Sequence, residues 1–226
     1  MSEILWHLLQ TSDSAFPVGG FAHSYGLEGM VLDGHVDTPA DLETFIARTW
    51  MPTIAHIDFP LVRLSVIHAM DFPAIFRLDE LAYACRPTGE ARKAQAQMGR
   101  KRLSTIAGLT DHPHLAALHR EAEEGNWMAN WPVVCGIEAS ALSIPVEDAL
   151  LSYAYQSIAG ILAASTKLIR IGPAETQRIL SRQTEALNCA IVTSATIMEE
   201  NIGWFTPLLD IAGARHETAY TRLFIS

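Results

Sequence analysis

Cysteine is scarce in this chain: Cys85, Cys135 and Cys189 are the whole complement, an odd number at wide spacing. That excludes a disulfide framework, leaves no C-x-x-C metal pair, and points to a reducing compartment. Positive charge is short as well. Sixteen Lys and Arg against 25 Asp and Glu leave a formal net charge of −9, unsuited to general nucleic-acid or anionic-membrane binding. No run alternates apolar and polar residues around a tight Asn-Gly turn, so no sheet is expected. No Gly-x4-Gly-Lys-Ser/Thr or strand-borne Gly-x-Gly-x-x-Gly occurs, so the chain alone is not expected to bind a nucleotide. Met1 to Leu9 carries Glu3 and no basic residue ahead of its apolar run. That is not a secretory pattern, and the expected location is the cytoplasm.

One long uncharged stretch tests the membrane question. No charged residue falls between Asp148 and Lys167, a length near the lower bound of about 17–25 residues for a spanning helix. Its serines, tyrosines and alanines fit a buried central helix better, with Ala159, Gly160, Ala163 and Ala164 admitting close neighbours. No membrane span is expected.

What is present reads as helix almost throughout. Ile4, Leu5, Leu8 and Leu9 form a helical stripe. "TPADLETFIARTW" opens with Thr38 as N-cap, Pro39 at the first helical position and Asp41 near the positive end of the helix dipole. Pro145 with Glu147 and Asp148, and Gly172-Pro173 with Glu175, open two more. At 226 residues, 49% hydrophobic and 18% charged, the chain can bury a full core without metal or disulfide. The expected fold is a single all-α domain, residues 1–226, of about eight to ten helices.

Candidate chemistry is sparse. His23 and Ser24 are adjacent and diverge by about 100° on a helix, so a small helical enzyme using His23, Ser24 and Glu28 in a pocket is the lesser alternative. His112-Pro113-His114 lacks a third ligand nearby, and no metal site or cofactor is expected. Arg92, Lys93, Arg100, Lys101 and Arg102 form one basic cluster, either a solvated face or a docking stripe for an acidic protein surface.

The opening "SDSAFPVGGFAHSYGLEG" and the ending "HETAYTRLFIS" are the unusual stretches. Pro17, Gly19 and Gly20 make a tight turn able to present Phe21, His23 and Glu28 on an exposed helix start, suited to a second protein. The ending holds Tyr220, Leu223, Phe224 and Ile225 where free termini are usually polar. Burying four such side chains does not by itself offset the entropy of ordering the segment. The tail either packs on its own domain or orders against a partner.

These two segments, with "CRPTGEARKAQAQMGRKRL" and "GIEASALSIPVEDALLSYAYQSIAGILAASTKLIRIGP" between them, resemble the urease accessory protein UreF family from about Leu8 to the last residue. The resemblance implies an all-α, commonly dimeric protein without catalysis of its own. It implies partnership with UreD (UreH in some organisms), the GTPase UreG and apo-urease, in a complex that inserts nickel into the urease active site, with a proposed role as GTPase regulator. The family's opening segment falls on Phe16, Pro17, Gly19, Gly20, Phe21, His23, Ser24, Gly26, Leu27 and Glu28. Its closing segment falls on His216, Glu217, Tyr220, Arg222, Leu223, Phe224 and Ser226. Both are associated with partner surfaces, which makes 216–226 an expected partner-binding tail. Phe21 stands where some members have tyrosine, so a hydroxyl contact there is missing.

Overall fold

The structure is a computed structural model that describes residues 3–20 and 23–225. Its elements begin with α1 (Glu3–Ser12) and α2 (Leu27–Leu32), followed by a long helix α3 over 39–67. Then come α4 (Phe72–Ala84), α5 (Gly89–Leu109), α6 (Pro113–Glu123) and α7 (Trp131–Ala141). The chain continues through α8 (Val146–Leu168), α9 (Pro173–Arg182), α10 (Thr184–Ala195), a 3₁₀ turn Glu199–Asn201 and α11 (Pro207–His216). The fold is all-α, as expected. The described residues form eleven helices, because α2 stands alone and Gln183 breaks a run that reads as one helix.

The start of α3 follows from local chemistry. Thr38 accepts from the Asp41 amide while Asp41 Oδ2 accepts from the Thr38 amide at 2.9 Å, a reciprocal capping box. Two prolines lie inside α3, and each follows a π-helical turn, Ile46–Trp50 before Pro52 and Ile54–Asp58 before Pro60. Proline lacks the amide that an α-helix needs, and its ring crowds the preceding turn. A widened turn relieves the crowding, so the helix continues. His56 Nδ1 lies 2.8 Å from the Pro52 carbonyl, and Thr53 donates to the Thr49 carbonyl at 2.8 Å.

α3 runs through the middle of the molecule, between two apolar clusters. One gathers Leu42, Trp50, Ile54 and Phe59 with Trp131, Tyr153 and Ile158, the Trp131 and Tyr153 rings lying 4.3 Å apart. The other joins Ile57, Leu61 and Leu64 to Leu78, Leu118, Trp127 and Ile137. α8 is thus a packed central helix, as expected, and no described helix is long and apolar enough to cross a membrane.

α1 is attached by polar contacts as well as by Ile4 and Leu8, which pack on the core. His7 Nε2 lies 2.6 Å from Glu138 Oε1, while the buried Arg102 donates to both Glu138 oxygens, at 2.5 and 3.1 Å, and to Gln156 at 2.9 Å. Burial pushes the Glu138 carboxyl up, yet Arg102 and then His7 more than reverse it, leaving the group below its ordinary value. Leu5, Trp6 and Leu9 face outward as a result.

Candidate functional site

The opening segment turns into α2 through a residue that only glycine suits well. Gly26 sits at φ 83, left-handed backbone that side chains disfavour. Ser24 supports the turn: its carbonyl accepts from Leu27 and its hydroxyl accepts from the Glu28 amide at 3.2 Å. Ser24 therefore acts as a helix-start residue. α2 then lies against α11 so closely that a Cβ on Gly29 would stand 2.7 Å from the Ala212 carbonyl oxygen.

That contact brings Glu28 under the C-terminal segment. Glu28 Oε1 accepts the Leu223 amide at 2.7 Å, and Oε2 accepts the Phe224 amide at 3.0 Å. The same Oε2 is 2.9 Å from His216 Nε2, and His216 Nδ1 is 2.9 Å from Glu90 Oε2. Arg222 donates to the other Glu90 oxygen. Glu217 Oε1 accepts the Glu90 amide at 2.7 Å, closing the exposed donors at the start of α5 with negative charge where the helix dipole favours it. Phe224 is buried, and Lys167 Nζ lies 5.4 Å from its ring centre, a cation–π distance. The two ends of the chain form one clasp.

The expected exposed helix start is therefore corrected. His23 and Glu28 are 4% and 3% exposed, Glu28 because its carboxylate receives the tail's amides. Burial pushes the His23 imidazole below its ordinary value. Ser24 and Leu27 are wholly buried. Phe21 and Ser226 lie outside the described residues. In the tail the side chains divide: His216 and Phe224 point inward, whereas Tyr220, Leu223, Ile225 and much of Arg222 face solvent. Glu217 is half-buried.

Beside the clasp opens a cavity of about 100 Å³, whose walls include His23, Trp50, Arg86, Trp204 and His216. Arg86 pairs there with the buried Asp58. Burial pushes the Asp58 carboxyl up, with Arg86 opposing. The arrangement does not suit nucleophilic catalysis by His23, Ser24 and Glu28. The Ser24 hydroxyl accepts an amide, and both Glu28 oxygens are engaged by His216 and the tail. Among the described residues no group of three or more His, Cys, Asp or Glu is placed to hold a metal ion. His114 Nε2 is 2.6 Å from the Ala69 carbonyl, a structural contact. The basic cluster is divided too: Arg102 is buried on Glu138, Arg92 donates to the Arg86 carbonyl and Arg100 to that of Met128. Only Lys93 and Lys101 of the five remain as an exposed pair without a protein partner among these contacts.

Glu90 is the clasp residue that sequence reasoning passed over. Its signal was modest: Thr88 caps α5 through the Ala91 amide, and an acidic residue two positions on is ordinary helix chemistry.

Fold and site together define a helical protein that folds its C-terminal segment onto its own N-terminal helices, with no strand among the described residues. The UreF family model matches residues 36–184, between the two halves of the clasp. A urease accessory protein UreF of Azoarcus sp. (strain BH72) is 34% identical over 224 residues, covering 98% of this chain and 95% of its own. Another, from Marinomonas sp. (strain MWYL1), is 32% identical over 225 residues, covering 98% and 94%. A third, from Actinobacillus pleuropneumoniae serotype 5b (strain L20), is 28% identical with 97% of both chains covered. The chain belongs to the UreF family of urease accessory proteins.

Proposed function

We propose that the chain serves urease maturation as a non-catalytic adaptor. It joins UreD (UreH) and the GTPase UreG on apo-urease and regulates GTP-dependent delivery of nickel, the cargo, to the urease active site. It works in the cytoplasm as a homodimer. The clasp is its UreD-facing surface. What supports this reading is the division within the tail. Its backbone is anchored at Glu28 while Tyr220, Leu223 and Ile225 stand outward. Phe205, Leu208 and Ile211, on or just before α11, are exposed as well. Apolar side chains held in water on an ordered backbone are characteristic of a docking surface. They are pre-organised, so a partner gains contact area without ordering the segment. The buried members, His23, Ser24, Leu27, Glu28, His216 and Phe224, together with the half-buried Gly26, position that surface rather than touch the partner, while Arg222 and Glu217 form its polar rim.

Co-purification with UreD and UreG, with and without residues 216–226 and scored by urease activation, tests the proposal. The truncated chain is expected to lose UreD and with it UreG. A truncated chain that still assembled the complex and activated urease would remove the tail from the partner surface.

A further inference from the structure

We propose that His216 is a proton-operated latch: as an imidazolium it bridges Glu28 and Glu90 and holds residues 217–225 closed, and loss of its proton releases them. Both ring nitrogens lie 2.9 Å from carboxylate oxygens, one on α2 and one on α5. A neutral imidazole has a single N–H, so one nitrogen would turn its lone pair toward a carboxylate oxygen. The imidazolium donates to both.

Charge balance agrees. Glu28 and Glu90 bring two negative charges, and Arg222 on Glu90 brings one positive. His216 supplies the second positive charge only when protonated. The Glu28 and His216 side chains are each 4% exposed, so an uncompensated charge between them is costly. The remaining ionisable groups facing the site do not supply it. Glu217 is acidic and occupied with the Glu90 amide, and the Lys167 ammonium lies over the Phe224 ring rather than against either carboxylate. His23, Asp210, Cys85 and Arg86 line the adjoining cavity, and Arg86 is paired with Asp58. When the proton leaves, the element free to yield is the tail, in which Phe224 is the one buried side chain after His216 while Glu217 and Ala219 are half-buried and the rest face solvent.

The sign follows from proton counting. The closed state binds one proton more than the open state, so closure is favoured at low pH and lost as pH rises. The opening equilibrium shifts by about tenfold per pH unit through the transition. The consequence for complex assembly rests on the reading of the tail as the UreD surface; the latch itself does not.

The test is amide hydrogen exchange of Leu223 and Phe224, corrected for the intrinsic exchange rate, between about pH 5 and pH 8, the range over which an imidazole changes charge. It is made on the full chain and on His216→Gln, together with 15N NMR of the His216 ring. The expected result is a ring protonated on both nitrogens at the acid end. Amide protection should then fall about tenfold per pH unit as the ring titrates, and be flat with pH in His216→Gln. The latch is overturned if wild-type protection is independent of pH, or if the variant keeps the wild-type slope. A ring carrying one proton while the tail stays protected overturns it too, and that measurement needs no variant. UreD capture at both ends of the pH range separates the two proposals. Capture that ignores tail opening refutes the partner surface and leaves the latch standing.

Discussion

Truncating Phe224 to alanine separates a tail that is a distinct local unit from one that belongs to the core. The ring is 6% exposed, and emptying such a site in a rigid core ordinarily costs about 3–5 kcal/mol. Phe224 is also the one large apolar side chain that the segment after His216 buries, since Tyr220, Leu223 and Ile225 stand 55% to 102% exposed. Without the ring, the segment retains the Glu28 and Arg222 contacts and little apolar burial. The variant therefore has a cheaper response than holding a cavity: residues 217–225 detach, and the loss of global stability cannot exceed the free energy with which the tail was docked. The expected outcome is a fall in urea-derived unfolding free energy clearly below the about 3–5 kcal/mol of a rigid-core truncation. Protection of the Leu223 amide should collapse, and Glu28 should become accessible. A loss of the full value, with Leu223 protection tracking global stability, would show that the tail unfolds only with the core. The reasoning about a separable clasp would then fail.

Gly29→Val should force α2 from α11, because its Cβ meets the Ala212 carbonyl, and cost about 1–3 kcal/mol in thermal or urea unfolding. Gly108→Ala, with nothing within 4 Å of its Cβ, should stabilise α5 by about 0.5–1 kcal/mol in the same assay. Glu138→Gln addresses acid stability. The Glu138 carboxyl lies below its ordinary value in the fold, so its contribution is present above the ordinary carboxylate range and lost as pH falls through the folded value. The variant's stability should climb less steeply than wild type between about pH 3 and pH 5. Alkylation followed by mass spectrometry should modify the exposed Cys189 first. The buried Cys135, whose thiol burial pushes up to about 12, should react only on unfolding, and a native-state rate matching that of Cys189 would contradict the fold.

Local chemistry was legible in the sequence, and pairings across the chain were not. The Thr38 cap, the Pro39 and Pro173 starts and the buried α8 could be read because each depends on residues within a turn or two. Periodicity marked α1 as a helix but misjudged which residues face inward. Ile4 and Leu8 pack on the core, while Leu5, Trp6 and Leu9 are exposed. A buried acceptor for His7, Glu138 on α7, decides the orientation of the helix. The clasp repeats this on a larger scale. Glu28 lies almost the whole chain away from His216 and Leu223, and nothing in "GLEG" or "HETAYTRLF" announces that one carboxylate will hold two amides and a ring. The apolar residues at the C-terminus, too few to hold the tail by burial alone, left open whether it packs on its own domain or orders against a partner. The contacts assign most of the holding to charge and hydrogen bonds, with Phe224 as the single apolar anchor after His216. An anchor made largely of ionisable groups can be released by a proton or a competing charge, whereas one made of four buried apolar side chains would open only as the surrounding fold loosened.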